Sequence, residues 1–182
     1  IWKHLPEWEE TPPPVPPGNK PVTPQASKTR LSDILGRGAE KRPQQADYAA
    51  KCVAAFAPIN RSGEPYIVLA EAGTGVGKTL GYIAPASIWA EINGGSVWIS
   101  TFTRNLQRQL DGELDRLYPD PVEKSKRVVI RKGRENYLCL LNFEEATNRI
   151  PVRSPTDAIA LGLMARWLQA TRDGDMVGGD FS

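Results

Sequence analysis

A glycine-rich loop between an apolar run and a helical pattern is the feature that most restricts how this chain can fold. Residues 66–70 read YIVLA, the short continuous apolar run of a strand buried on both faces. Residues 72–79 read AGTGVGKT, and a helical pattern follows over residues 79–92. Between a strand and a helix, a glycine-rich segment that ends in Gly-Lys-Thr is typical of a phosphate-binding loop. Ala72 stands where the generic pattern begins with glycine.

The chemistry of this loop favours a nucleotide. Glycine tolerates the backbone dihedrals that turn successive N–H groups into one concavity, and the following helix adds the positive end of its dipole. We predict that Lys78 pairs with the β- and γ-phosphates of ATP and that the hydroxyl of Thr79 ligates Mg²⁺. These two residues are the predicted catalytic residues. The alternative is a glycine-rich turn in which Gly-Lys-Thr occurs by accident.

Helical patterns and apolar runs alternate over the first two thirds of the chain. Further runs at residues 97–100 and 128–130 predict two more strands, and helical patterns at residues 42–57 and 106–117 alternate with them. That alternation is typical of a three-layer α/β domain with a parallel sheet and crossover helices. Past Gly133 the strand pattern stops. Residues 138–148 and a helix capped by Ser154 predict a helical second module.

A proline-rich segment precedes the globular pattern. Residues 11–24 hold seven of the sixteen prolines, which predicts an extended spacer, although such a segment could also dock on a proline-reading module. The predicted domains are a tail at residues 1–30, the nucleotide-binding domain at residues 31–132, incomplete, and the start of the helical module at residues 133–182. Because the chain begins with Ile1 rather than Met, we predict that it is an excerpt of a longer protein.

Composition narrows the class of protein further. A formal charge of +2 is too small to argue for nucleic acid by itself. Two cysteines do not make a disulfide framework, so a reducing compartment is the default. No apolar run approaches the ~20 residues that cross a bilayer. We therefore predict a cytoplasmic protein without a membrane partner.

Four segments together resemble one family. They are RPQQ at residues 42–45, the loop at residues 72–79, ISTFTRNLQRQL at residues 99–110 and RKGRENYLC at residues 131–139. These segments are similar to motifs of the XPD/DinG family of iron–sulfur superfamily-two DNA helicases, from about residue 40 to the end of the chain. The resemblance implies a RecA-like, monomeric motor that uses ATP to move 5′ to 3′ on single-stranded DNA, in DNA repair.

The resemblance also implies roles for individual residues. Gln45 would read the adenine with Arg42 close by, and Cys139 would be the first of four ligands of a [4Fe–4S] cluster. The nucleic-acid contacts would be Thr101, Thr103 and Arg104. The full predicted nucleotide-binding set is Gly73, Thr74, Gly75, Val76, Gly77, Lys78, Thr79, Leu80, Arg42 and Gln45. The residues alone favour an ordinary strand-to-helix turn capped by Thr103 for the 101–104 segment, and a buried or surface thiol for Cys139.

Departures from the family pattern leave rival functions open. The chain has no Asp-Glu-x-x box after an apolar strand, and its cysteines are too few for a four-thiolate cluster. We therefore predict that the piece alone has negligible ATP turnover. The rivals are a P-loop kinase or other NTPase and a non-catalytic DNA-binding relative. The basic residues between 124 and 134 could form a rim that faces DNA or a solvated surface.

Overall fold

The computed structural model describes residues 12–40, 42–58, 65–149 and 154–177, and within these ranges the regular structure is helical. The α-helices are α1 (Pro24–Leu35), α2 (Pro43–Cys52), α3 (Lys78–Asn93), α4 (Arg104–Leu117), α5 (Pro121–Arg127), α6 (Leu140–Asn148) and α7 (Pro155–Ala170). Short 3₁₀ turns occupy Val53–Phe56 and Arg134–Asn136. Within the described residues, no helix combines the length and apolarity that a bilayer crossing needs.

The predicted parallel sheet, and with it the three-layer RecA-like assignment, is wrong. Residues 66–70, 97–100 and 128–130 form neither helix nor paired strand, and the β-pairing within the described ranges is one isolated bridge between Tyr137 and Asp175. The apolar side chains of these runs are not buried as strand side chains would be. Ile67 is 80% exposed, Leu69 94% and Trp98 86%. Apolar composition expresses a preference for burial, but a strand exists only where a second strand takes up its backbone hydrogen bonds.

The helix predictions are confirmed where helical periodicity is strong. α3 and α4 begin and end within about two residues of the predicted bounds, and the predicted caps are present. The Thr103 hydroxyl accepts a hydrogen bond from the Leu106 N–H at 3.2 Å, and the Ser154 hydroxyl accepts one from the Asp157 N–H at 3.3 Å. Each cap satisfies one of the N–H groups that a helix start leaves without a partner.

The first compact unit comprises residues 12–129 and has α3 at its centre. α3 contacts α1, α2 and α4, because its apolar residues are distributed around the helix and not along one stripe. The main core takes Leu31 and Ile34 from α1, Ala49 from α2, Leu80, Ile83 and Ala84 from α3, and Leu110 from α4. Burial of this kind contributes roughly 1.5–3 kcal/mol for each large aliphatic side chain.

The end of the proline-rich segment lies against the last turn of α3. The Gly18 N–H donates to the Asn93 carbonyl at 2.8 Å. The Asn93 side chain accepts from the Lys20 N–H at 2.7 Å and donates to the Lys20 carbonyl at 3.1 Å. Val22 is buried beside Val53 and Ile88. The segment is therefore anchored at this end, and the predicted boundary between residues 30 and 31 lies inside α1.

The second compact unit begins at Ile130 and contains α6, α7 and the 3₁₀ turn Arg134–Asn136. Backbone hydrogen bonds join two segments of it: the Leu138 N–H donates to the Gly174 carbonyl at 3.0 Å, and the Met176 N–H donates to the Asn136 carbonyl at 2.8 Å. Asp175, which is 4% exposed, pairs there with the Lys132 ammonium. These contacts close a small folded element around residues 132–138.

Candidate nucleotide site

The loop at residues 72–79 has the backbone that its glycines allow. Gly75 has φ of 81° and Gly77 has φ of 83°, both in the left-handed region that favours glycine. Gly77 is the N-cap of α3, and Lys78 is the first helical residue. The partial positive charge at the start of this 16-residue helix is therefore directed at the loop, as an anion site requires.

The predicted phosphate ligand Lys78 folds back over the loop. Its ammonium donates to the carbonyls of Ala72 and Gly73, each at 2.9 Å. An ammonium group carries three N–H donors, and these contacts use two of them. The positive charge is consequently held above the loop while the loop carbonyls fix its position.

Arg42 and Gln45 come to the same loop from the preceding segment and helix. The Gln45 side-chain amide donates to the Gly77 carbonyl at 2.9 Å, and the Arg42 guanidinium donates to the Gly75 carbonyl at 3.2 Å. Arg42 also pairs with Glu40 at 2.9 Å. Gln45 is buried, and a Cβ on Gly77 would collide with its amide. Close packing and positive φ therefore both require glycine at position 77.

A cavity of about 330 Å³ opens beside this arrangement. Its wall includes Arg42, Gln45, Gly77 and Thr79. Residues of the predicted nucleotide-binding set therefore line one cavity, although they come from two segments of the sequence. The remaining lining residues are Leu35, Ala39, Glu40, Leu80, Gln109, Glu113 and Arg116. The cavity wall thus combines the end of the 72–79 loop, apolar side chains and charged side chains of both signs.

Six of the lining residues are outside the predicted set, and three of these six share one helix. Gln109, Glu113 and Arg116 lie on α4 at spacings of four and three residues, which places them on one face of the helix. A polar face on an amphipathic helix is usually read as solvated surface, so the spacing alone gives no functional signal. Only the packing of α4 beside α3 puts that face against the cavity.

Burial alters the acid–base behaviour of the aromatic residues near the loop. Burial raises the pKa of Tyr82, and a hydrogen bond with the predicted magnesium ligand Thr79 opposes that rise. Burial also raises the pKa of Tyr48 to about 12, with smaller contributions from Cys52 and Tyr82. Burial likewise raises the pKa of the Cys52 thiol. The Tyr48 hydroxyl and the Cys52 thiol therefore stay neutral near neutral pH. Cys52 is therefore an unreactive core residue.

The predicted DNA contacts lie at the start of α4. The Thr103 hydroxyl caps the helix, and the Thr101 hydroxyl donates to the Thr103 carbonyl at 3.4 Å. Arg104 is the first residue of the helix. The reading of Thr103 as a helix cap is confirmed, and the reading as a nucleic-acid contact stays a prediction. Phe102 is 99% exposed between the two threonines.

Cys139 is exposed at the residue before α6, in the second unit. Among the described residues, no group of three or more His, Cys, Asp and Glu side chains is close enough to hold a metal ion. The chain has one other cysteine, Cys52, which is buried in the first unit. These residues therefore do not make a complete four-thiolate site, and the cluster assignment of Cys139 stays a prediction.

Comparison of the sequence with known proteins identifies relatives. The chain is 32% identical over 159 residues to the ATP-dependent helicase DinG of Mycobacterium tuberculosis strain H37Rv. The match covers 78% of this chain and 23% of that protein. The chain is 34% identical over 150 residues to the 3′-5′ exonuclease DinG of Bacillus subtilis, covering 80% of this chain and 15% of that protein.

A third relative is the ATP-dependent DNA helicase YoaA of Escherichia coli, which is 38% identical over 117 residues, 63% of this chain and 17% of that protein. No family model and no solved structure matches the chain. The chain therefore spans less than a quarter of the length of these relatives.

Proposed function

This chain is a homologue of the DinG and YoaA ATP-dependent helicases, and on that premise we propose that residues 72–79 bind the triphosphate of ATP. The observation that carries the proposal is the loop geometry at the head of α3. Lys78 holds its charge over the loop by two 2.9 Å hydrogen bonds. Gly77 starts the helix with φ of 83°. A helix start, left-handed glycines and a fixed ammonium together favour a phosphate chain.

The proposal includes the base and the metal. Gln45 and Arg42 border the cavity beside Gly77, at a position suited to recognise the adenine and the groups attached to it. Thr79 also borders the cavity, and its hydroxyl would ligate Mg²⁺. When bound, Mg²⁺ would neutralise part of the negative charge of the triphosphate. The residues of this chain bind and orient the nucleotide.

For the protein that contains this chain, we propose ATP-driven translocation on single-stranded DNA in the 5′ to 3′ direction. Thr101, Thr103 and Arg104 would contact the DNA backbone. Support comes from the start of α4, where the hydroxyls of Thr101 and Thr103 adjoin the positive end of a 14-residue helix. Replacing Arg104 with alanine should weaken binding to all DNA sequences equally. It should also reduce, by about 1, the slope of the logarithm of the binding constant against the logarithm of the salt concentration. Arg37→Ala, an exposed arginine outside this segment, is the control.

For Cys139 we propose a single role, as one thiolate ligand of an iron–sulfur cluster. The exposed position of Cys139 before α6 supports this role, because a ligand must be accessible to the metal. A maleimide reagent at neutral pH should label Cys139 within minutes and leave Cys52 unlabelled in the folded chain. Slower labelling of Cys139 than of Cys52 would contradict the proposal.

The nucleotide proposal is tested by titration calorimetry of the 182-residue chain with ATP and Mg²⁺. Lys78→Ala should reduce affinity by at least about tenfold, since a charge-assisted contact to phosphate contributes roughly 1.5–3 kcal/mol. Thr79→Ala should reduce mainly the dependence on Mg²⁺. Lys51→Ala is the matched control, because Lys51 is exposed on α2 and pairs with Asp47 outside the cavity.

The same titration separates the rival functions. A preference for GTP over ATP would favour another class of P-loop protein and would contradict the helicase proposal. Equal ATP affinity in wild type and in the Lys78→Ala variant would show that the loop does not bind the triphosphate. ATP turnover by the chain should be negligible, because its 182 residues lack the acidic box that positions the attacking water.

A further inference from the structure

One carboxylate oxygen at the cavity has no hydrogen-bonding partner among the described residues. Glu113 lies on α4 and lines the cavity together with Gln45 and Thr79. Its Oε2 atom is buried and accepts no hydrogen bond from the described residues. Arg116 Nε lies 3.3 Å away, within ion-pair distance, but it is not aligned for a hydrogen bond. A buried acceptor that lacks a donor is costly, and a charged acceptor costs more.

We propose that Glu113 is a specificity-determining residue that accepts a hydrogen bond from a donor group of the bound nucleotide. The donor is a ribose hydroxyl or the exocyclic amine of the base. This inference rests on the proposed ATP site and deepens it. It means that α4 also contributes to nucleotide recognition, although this helix lies outside the loop and outside the segment at residues 42–45.

The sign of the charge decides which part of the nucleotide Glu113 can face. A carboxylate repels a triphosphate, and the phosphate-binding groups of the site are Lys78 and the start of α3. The cavity wall that includes Glu113 also includes Leu35, Ala39 and Leu80, which offer apolar contact to a ring. Sugar hydroxyls and the adenine amine are the hydrogen-bond donors that ATP carries away from its phosphates.

Arg116 pairs with this carboxylate without donating a hydrogen bond to Oε2. The Arg116 side chain is 55% exposed and the Glu113 side chain is 22% exposed, so the pair is open on the arginine side. The misaligned geometry leaves Oε2 available to a hydrogen-bond donor of a ligand. A site built around such an acceptor rejects a ligand that lacks the donor, because the acceptor is then left unpaired again.

The test compares nucleotides that differ by one donor. Dissociation constants are measured by calorimetry for ATP, 2′-deoxy-ATP, 3′-deoxy-ATP and inosine triphosphate, with Mg²⁺ present throughout. For the wild-type chain, at least one analogue should bind about tenfold or more weakly than ATP, and the identity of that analogue tells which donor Glu113 reads. In Glu113→Ala, ATP affinity should fall by about tenfold and the ratio between ATP and that analogue should fall towards one.

Two further variants keep the result decisive. Glu113→Gln has nearly the same shape, so it should fold like wild type and still lose most of the discrimination, since the charged acceptor is gone. Asp115→Asn removes a charge from the same helix outside the cavity, and it should leave every ratio unchanged. An unchanged ratio in both Glu113 variants overturns the inference. So does a wild type that binds all four nucleotides equally.

Failure of the proposed function looks different. If wild type binds ATP and Lys78→Ala does not, the proposed phosphate site is supported. Unchanged nucleotide ratios in the Glu113 variants then contradict only the role of Glu113. If wild type does not bind ATP, or Lys78→Ala binds it as well as wild type does, the proposed site itself is wrong. Loss of Mg²⁺ dependence in Glu113→Ala with unchanged nucleotide ratios would assign the carboxylate to a metal-bound water and would also overturn the inference.

Discussion

The two flanks of the loop at residues 72–79 differ in how reliably their sequences specify structure. On the carboxyl side, residues 79–92 predict a helix, and α3 forms there, with Ile83 only 2% exposed. On the amino side, residues 66–70 are at least as apolar, yet they form no element and Leu69 is 94% exposed. Apolarity is common to both flanks, so it is not what decides whether an element forms.

Hydrogen bonding explains the difference. A helix closes its backbone hydrogen bonds within its own sequence, so local pattern is nearly sufficient to specify it. A strand closes them with another segment, so its sequence specifies half of the structure at most. The following predictions use substitutions on the two flanks, and at the junction between them, to break or sharpen this comparison.

The largest effect should come from matched truncations on the two flanks. Ile83→Ala removes a side chain from the core around α3 and should lower the free energy of unfolding by about 2–5 kcal/mol through lost burial and a cavity. Ile67→Ala removes the same atoms from a side chain that is 80% exposed and should change it by less than about 0.5 kcal/mol. Urea denaturation measures both. A comparable loss in Ile67→Ala would show that this run is buried in solution.

The junction itself offers a second pair. Gly77→Ala places a Cβ at φ of 83° and against the Gln45 amide, so it should destabilise the chain by about 1–3 kcal/mol and shift the start of α3. Gly73→Ala is the control in the same loop, because a Cβ there meets no atom within 4 Å of the described structure. Thermal unfolding followed by circular dichroism distinguishes them. Equal melting temperatures for the two variants would contradict the tight approach of Gln45 to the loop.

The far end of α3 gives a smaller expected effect. Asn93→Ala removes both side-chain hydrogen bonds to the Lys20 backbone and should cost about 1–2 kcal/mol. Amide exchange should then accelerate at Lys20, while it stays slow at the centre of α3. Asn105→Ala, an exposed asparagine on α4, should have little effect on either measurement. Fast exchange at Lys20 in the wild-type chain would contradict this anchoring of the proline-rich segment.

The smallest effect is an acid dependence of the ion pair between α1 and α3. The Glu91 carboxylate accepts a hydrogen bond from the Arg30 guanidinium at 2.6 Å. This hydrogen bond holds the pKa of the Glu91 carboxyl below its ordinary value of 4.5. A lowered pKa contributes stability above about pH 4.5 that is lost as the pH falls through the folded-state value. Because the carboxylate is one-third exposed, we expect less than about 1 kcal/mol.

That acid dependence is measured by urea denaturation between about pH 6 and pH 2.5. Glu91→Gln should remove this component of the pH profile and leave the rest in place, because an amide does not titrate. An identical profile for wild type and Glu91→Gln would contradict a contribution from this pair.

Much of the candidate site follows from sequence, and part of it does not. The pattern at residues 72–79 predicted the loop, and the resemblance assigned Gln45 to the adenine of the same nucleotide with Arg42 close by. The structure brings both side chains to loop carbonyls. Glu113 and Arg116 escaped prediction because a polar helix face has the same pattern whether it faces water or a cavity. α1 escaped it because the prolines around Thr23 suggested a spacer, although Thr23 is in fact an N-cap.

By itself the sequence determined the elements whose hydrogen bonds are local: α3, α4 and their caps, and the left-handed glycines of the loop. It also carried the homology to DinG and YoaA. Only the tertiary structure decided whether residues 66–70, 97–100 and 128–130 form paired strands. It also decided which face of α4 borders the cavity. The reason is that pairing and burial depend on surfaces brought together from distant parts of the chain, and such surfaces leave no periodic signal in either partner.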